Sequence, residues 1–318
     1  MDRRTYLVAL TPLVAGCFGG QRSQPTATET SAATDTPEPT DTPEPTATPT
    51  ATATPEPEAS PEAAQQIDTA RDRFTEAVYV YTGGVTDDLL SVAADTETFR
   101  AREVLLRLDR VQRALATAET EATTDEQRAT IQSLDRMQQF LTHATDAQSW
   151  LIDGHDALTS AYTNMDERNL QKAEADIERV ETAAEEVSEP TSTIQENMDV
   201  DSASATDAIG KDEYEQKVTQ LVDESDVLSS LSDDAKDLRN GIAMIVEARN
   251  DIDDDRTSEA ADTADRAYEV LSDVADRLDE QTSNLPERAD AFEDVVDDLL
   301  DLASSRATEA ENIYDQYS

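Results

Sequence analysis

The chain has little of the material from which many ligand sites are built. Its 318 residues include one cysteine, eight glycines and 4% aromatic residues. A single cysteine excludes an intrachain disulfide and the zinc sites that need several cysteines. The shortage of glycine and of aromatic rings excludes Gly-rich phosphate-binding loops and base-stacking platforms.

Cationic residues are also scarce. Lysine and arginine total 25 against 71 aspartates and glutamates, which gives a formal net charge of −46. Association with phosphate backbones needs clustered cations, so the composition excludes nucleic acid as a partner. Residues 62–318 carry 63 acidic and 22 basic side chains, and only four of the basic ones are lysines. Molar salt shortens the Debye length to about 3 Å and would screen this self-repulsion.

The first 17 residues have the pattern of an export signal. Paired Arg3 and Arg4 precede an apolar run at residues 6–15 and then Cys17. About ten apolar residues are too few to cross a bilayer, which needs about 20, so residues 1–17 are interpreted as a signal peptide. Val-Ala-Gly-Cys at its end resembles the lipobox of exported lipoproteins, and Arg-Arg-Thr-Tyr-Leu near its start resembles a twin-arginine signal. This resemblance implies that Cys17 is the lipid-modified first residue of the mature protein. General export and an incidental cysteine are the alternatives.

Residues 18–61 have the composition of a disordered stalk. Nine of the twelve prolines and twelve threonines fall between residues 21 and 61, where Thr-Pro-Glu-Pro occurs three times. Threonine, alanine, proline and glutamate in that proportion cannot form a core. The tract is either an O-glycosylated stalk or an unmodified linker, and it would reach about 120 Å at most as polyproline II.

Residues 62–318 predict an all-α fold. Only two prolines and five glycines fall in this segment, and no stretch alternates with period two as a strand would. Apolar residues recur at alternating spacings of three and four, which is typical of an elongated bundle of about six to seven antiparallel helices with coiled-coil-like packing. The positions expected to face the core include Ile67, Phe74, Val104, Leu108, Leu134, Leu141, Gln148, Leu151, His155, Leu221, Leu228, Ile252, Leu271, Leu278, Leu299 and Leu302.

Capping residues predict helix ends in the first part of this segment. The first helix should begin with the cap Ser60 and end at the glycine pair 83–84. A later helix should begin at Thr124, with Gln127 completing a capping box, and run about 40 residues to about Met165.

Proline and glycine predict the helix ends in the remainder. A helix over residues 167–189 should stop before Pro190, since proline disrupts a helix interior. The next helix should begin after Gly210, and the last should open at Pro286.

Residues 62–318 also contain a weak internal repeat. Five positions recur at an offset of 87 residues, namely Leu158, Ala161, Met165, Ala173 and Val180 with Ile245, Ala248, Ile252, Ala260 and Ala267. At both places a long helix is expected to end in an acidic turn before a shorter helix. An internal duplication with halves 62–198 and 205–318 would explain this, and so would chance alignment of heptad-like sequence.

Two acidic runs invite comparison with calcium loops, and neither fits. The loop containing Asp199, Asp201 and Asp207 has serine where an EF-hand needs glycine, and glycine where it needs a bidentate glutamate. The run 251–255 is followed by Arg256 at the turn position, so it predicts at most a weak, unselective cation site. We therefore expect no metal ligand in either run.

The histidines and serines give no catalytic constellation. His143 and His155 are twelve residues apart on one helix, about 120° around its axis, so they cannot share a metal within that helix. His155 falls on the inward face and is interpreted as a hydrogen-bonded core residue, or as half of an interhelical site. Trp150 is interpreted as packing. No serine lies in a Gly-x-Ser-x-Gly elbow, so nucleophilic catalysis is not predicted.

The composition and the export signal together resemble a known class. Excess acid, scarce lysine and alanine-rich helix faces resemble proteins of extreme halophiles, and with the signal the chain resembles the lipid-anchored surface proteins of halophilic archaea, many with Thr-rich stalks. The motif part of this resemblance covers only Arg3, Arg4 and residues 14–17. It implies no chemistry for any helix residue.

Three function classes follow. The first is a non-catalytic lipoprotein on the extracellular face of the cell membrane, presenting a helical bundle on a stalk for envelope interaction or spacing. The second is an all-helical solute- or cation-binding lipoprotein working with a membrane partner, and the third is a hydrolase. We predict the first, with no enzymatic activity and no cofactor. Its expected partners are the membrane, through a lipid on Cys17, and an envelope protein of unknown identity.

Overall fold

The computed structural model describes residues 58–84 and 88–318, and these residues are all-α, without a strand. Their α-helices are α1 (Pro61–Tyr81), α2 (Ala101–Glu121), α3 (Asp125–Asp166), α4 (Leu170–Glu196), α5 (Lys211–Asp253), α6 (Thr257–Asn284) and α7 (Glu293–Tyr317). Short 3-10 turns lie at Leu89–Ser91, Val200–Ala205 and Glu287–Phe292. The predicted multi-helix bundle is therefore confirmed.

One core joins all seven helices. The helices pack mainly on their neighbours in sequence, and α3 and α5 also pack on each other. Each helix contributes an apolar face to a single cluster of buried side chains. The predicted inward positions are buried, except that Ile252 and His155 are half-buried. At about 1.5 Å per residue, the 42 residues of α3 and the 43 of α5 each extend about 63 Å.

The predicted start of the bundle is confirmed, with one change. The Ser60 hydroxyl accepts the Ala63 N–H at 3.2 Å, and the Thr124 hydroxyl accepts the Gln127 N–H at 3.3 Å, so both residues are N-caps. The Gln127 amide does not close a capping box on Thr124. It donates to the Ser60 carbonyl at 2.7 Å and accepts the Thr123 N–H at 3.2 Å, which joins the start of α1 to the start of α3.

The prediction that a helix over 167–189 stops before Pro190 is wrong. Helix α4 begins later, at Leu170, and continues through Pro190 to Glu196. Pro190 and Ile194 are buried, and the Thr191 hydroxyl donates to the Val187 carbonyl at 2.8 Å. Burial of these last turns against the core offsets the backbone hydrogen bond that proline cannot make.

The last helix also begins later than predicted. Pro286 precedes the 3-10 turn Glu287–Phe292, and α7 begins only at Glu293. Ala289 within the turn has φ −113° and ψ 23°, outside helical values, so the backbone is kinked there before α7 begins. Ala289 and Phe292 are buried, which indicates that packing holds this tighter turn in place.

The weak repeat at an offset of 87 residues is also present in the order of the helices. The hairpin of α3 and α4 with its following 3-10 turn corresponds, within one or two residues at each helix end, to the hairpin of α5 and α6 with its own 3-10 turn. Arg168 and Asp255, which occupy equivalent places in the two hairpin turns, have φ values of 59° and 61°. The corresponding hairpins begin at Asp125 and Lys211. The predicted halves 62–198 and 205–318 stay a prediction.

Both long helices also carry a glycine at the equivalent position, but the two glycines meet different neighbours, Leu228 of α5 and Leu271 of α6. Gly154 in α3 and Gly241 in α5 are 87 residues apart, and neither leaves room for a side chain. A Cβ would lie 2.6 Å from a methyl of Leu228 at Gly154, and 2.6 Å from Cγ of Leu271 at Gly241. The turns and the helix ends agree more closely than a shared heptad pattern requires, and the duplication stays a prediction.

Candidate functional site

The predicted export and lipid-attachment residues Arg3, Arg4 and Cys17 lie outside the described residues. The same holds for most of the predicted stalk. These assignments stay predictions.

The two histidines lie in different surroundings. His143 lines a cleft of about 290 Å³ between α3, α4 and α5, beside Arg136 and the contacting rings of Phe140 and Tyr214. The ring of His155 packs edge-on against Phe292, with centroids 5.5 Å apart. Its Nδ1 is buried and has no hydrogen-bond partner among the residues that the structure describes. The prediction that His155 is hydrogen-bonded in the core is therefore wrong for this atom.

The acidic runs are engaged by cationic side chains. Asp199 pairs with Arg136, and Asp201 pairs with Lys211 at 2.5 Å. Arg256 pairs with Asp251 and with Asp254, the latter at 2.8 Å. Across residues 58–84 and 88–318, no three His, Cys, Asp or Glu side chains are grouped so as to hold a metal ion.

A buried polar stripe on α5 is the most unusual feature of the core. Glu213, Lys217, Gln220 and Glu224 follow one another at spacings of four, three and four, which places them on one face of the helix. Lys217 and Glu224 are fully buried, and Gln220 is 5% exposed. Charged side chains are almost never buried this completely without partners, so their contacts require an account.

Lys217 and Glu224 are linked through an amide. The Lys217 ammonium donates to the Gln148 Oε1 at 2.7 Å and to the Gln220 Oε1 at 3.1 Å. The Gln220 amide then donates to Glu224 at 3.1 Å. The Tyr81 hydroxyl also donates to the Gln148 Oε1, at 3.4 Å, and its ring lies 5.6 Å from the Lys217 Nζ.

The same stripe holds the main chain of the segment that connects α1 to α2. Glu213 accepts the Leu89 N–H at 2.8 Å, and Lys217 donates to the Val92 carbonyl at 2.5 Å. Gln220 donates to the Leu90 carbonyl at 3.4 Å. We name residues 88–96 the strap. Its main-chain groups thus supply partners that the buried side chains of α5 need.

Burial favours the uncharged forms of both Glu224 and Lys217. Desolvation raises the pKa of Glu224 to about 7, against the opposing effects of Lys217 and of hydrogen bonds from Ala94 and Gln220. Desolvation lowers the pKa of Lys217 to about 8, although Glu224 and Asp88 favour its charged form. Burial, followed by the charge of Glu224, also raises the pKa of Tyr81. The core therefore holds two groups that titrate close to neutral pH.

Sequence reasoning missed this network, although one signal was present. Lys217 lies among Tyr214, Val218 and Leu221, which follow the inward spacing of α5. The chain has only four lysines, and a lysine on the inward face of a helix is unusual. Its partners could not be found from helical periodicity, because the strap that covers it is an irregular segment 125 residues away in sequence.

Comparison with protein families, characterised proteins and solved structures finds no match. In the part of the chain that the structure describes, none of the helices combines the length and the apolar character needed to cross a bilayer.

Proposed function

We propose that the chain is a non-catalytic lipoprotein of the extracellular cell surface, in which a lipid on Cys17 anchors a stalk that carries an acidic helical bundle. The bundle contacts an envelope component or spaces one from the membrane. The observation that carries this proposal is the division of the described bundle into a filled apolar core and an acidic exterior.

Few of the aspartate and glutamate side chains are buried in the described bundle. Among the described residues the buried carboxylates are Glu224, Asp234 and Asp251. Asp234 accepts from Arg277 and from Gln281 at 2.6 Å each, and Asp251 is paired with Arg256. The remaining charge of the bundle is therefore carried by solvated faces, which suits a surface protein in concentrated salt.

Replacement of Cys17 by Ser should release the protein from membranes. Serine has no thiol to carry the lipid, and the apolar run before it is too short to span a bilayer. We expect the variant in the medium or as unprocessed precursor, whereas the wild-type protein sediments with membranes after a high-salt wash. Immunoblots of both fractions measure this. A Cys17→Ser protein retained on washed membranes like the wild type contradicts the anchoring.

The second candidate is an all-helical solute-binding lipoprotein. The cleft beside His143 favours it, since buried rings of Phe140 and Tyr214 adjoin polar side chains there. Its arginine, Arg136, is already paired with Asp199, which leaves less of its charge for a ligand. We therefore keep the surface role as the proposal.

A further inference from the structure

We propose that residues 88–96 form a strap that opens and closes over the polar stripe of α5, and that protons bound or released at Glu224 and Lys217 set how often it opens. This is a conformational device inside the bundle. It does not depend on how the protein is anchored.

Three polar side chains along one face of α5 hold the strap by hydrogen bonds. Glu213, Lys217 and Gln220 bind main-chain groups of Leu89, Val92 and Leu90. The strap also places Leu89, Val92 and Ala94 in the core, where each is at most 4% exposed. A short segment attached along one helix face can open locally without unfolding the helices beneath it, at the cost of exposing these three side chains.

The closed strap leaves part of the network unsatisfied. Glu224 Oε2 and Gln148 Nε2 are buried and have no hydrogen-bond partner among the described residues. Unpartnered polar groups in a core are costly, and a buried carboxylate is especially so. Opening the strap would allow water to hydrogen-bond to both groups. These two unsatisfied groups therefore lower the free energy that is needed to open the strap.

Protons can reach the network. A surface cavity of about 190 Å³ is bordered by Leu90 of the strap, by Gln220, and by Glu287, Arg288 and Asp290 of the last 3-10 turn. Gln220 is the residue that links Lys217 to Glu224. The network therefore meets the surface at its central amide.

The other charged groups near the pair belong to neighbouring elements. Asp88 at the start of the strap favours the charged form of Lys217, and Asp95 in the strap disfavours the charged form of Glu224. Helix α1 contributes Tyr81, whose pKa is raised by burial, and then by the charge of Glu224, further above the neutral range. Glu224 and Lys217 are thus the groups whose charge changes near neutral pH.

The corresponding helix α3 indicates that the stripe is not needed to build a helix of this kind. At the positions of α3 that correspond to Lys217, Gln220 and Glu224, the chain has Thr130, Ser133 and Met137. Helix α3 forms and packs without a buried charge there. Of these two helices, only α5 has the polar stripe, and its side chains bind the strap, which links the stripe to the strap rather than to the fold.

The direction of the pH effect follows from the two shifts. Glu224 has a raised pKa, so it stabilises the closed strap at low pH, and this contribution is lost as pH rises through about 7. Lys217 has a lowered pKa, so its contribution is present at high pH and is lost as pH falls through about 8. Opening should be most frequent between these values and rarer on either side.

Hydrogen–deuterium exchange of the full chain in molar potassium chloride tests this. After correction for intrinsic exchange rates, protection of the strap peptide should be lowest near pH 7.5. It should rise by roughly tenfold or more toward pH 5.5 and toward pH 9.5, because the ratio of closed to open strap changes about tenfold per pH unit between the pKa values of the open and closed states. Glu224→Gln should remove the acidic rise and keep the alkaline one, which should begin at a lower pH because Lys217 loses a charge that favours its ammonium form. Glu215→Gln, an exposed change on the same helix, should leave both.

Three outcomes overturn the proposal. The first is strap protection that does not change with pH in the wild-type chain. The second is a Glu224→Gln variant that keeps the acidic rise. The third is a strap peptide that exchanges only as fast as the core of α5, because it would then open only when the bundle unfolds. The wild-type profile decides the matter even if the variant folds poorly.

Discussion

Dialysis from about 1 M to about 10 mM sodium chloride should remove much of the helical circular-dichroism signal of this protein. The Debye length then grows from about 3 Å to about 30 Å, so carboxylates on neighbouring helices repel one another across the whole surface. The effect should be large because residues 62–318 carry 63 acidic against 22 basic side chains. Salt bridges reduce this only locally, since most are exposed pairs of small individual effect.

Potassium chloride provides the control for that experiment. Because screening needs no specific site, it should restore the helical signal almost as well as sodium chloride does. Restoration by micromolar calcium at low salt would instead indicate a specific carboxylate site. A melting temperature that does not change with salt would contradict the halophile interpretation.

Replacement of Lys217 by Met should lower the free energy of unfolding by about 3–5 kcal/mol, as is typical when one partner of a buried charged pair is removed. The change leaves Glu224 without its countercharge and takes the donor from the Val92 carbonyl and from Gln148. For a bundle of this size, the melting temperature should fall by roughly 6–20 °C. Thermal unfolding at fixed molar salt measures it.

Two further variants separate the charge from the packing. Lys236 on the exposed surface of α5 pairs with Glu181 of α4. Lys236→Met should change the free energy of unfolding by about 1 kcal/mol or less. Lys217→Met combined with Glu224→Gln should cost less than the sum of the single changes, because the second removes the charge that the first leaves uncompensated. Strict additivity would show that Lys217 and Glu224 do not interact.

The helices could be predicted from the sequence because burial on a helix is periodic. Leu134, Leu141 and Leu151 on α3, for example, recur at spacings that only a helix places on one face. The caps Ser60 and Thr124 are equally local, since each serves an N–H three residues ahead. Such features need no knowledge of the rest of the chain.

The wrong predictions concern helix ends that are determined by tertiary packing. Pro190 stays inside α4 because the following Ile194 is buried, and Ala289 breaks the helix after Pro286 because its turn packs inward. The network around Lys217 depends on a strap that lies far away in sequence. Nothing in the spacing of α5 tells which segment covers it.

The most direct test of the surface-lipoprotein account is the mass of the mature N-terminal peptide from the membrane fraction. The account predicts a chain that begins at Cys17 and carries a lipid on the cysteine sulfur. The digest should contain no peptide from residues 1–16. A membrane-associated chain that still contains those residues, or one in which Cys17 is an unmodified thiol, would contradict the account.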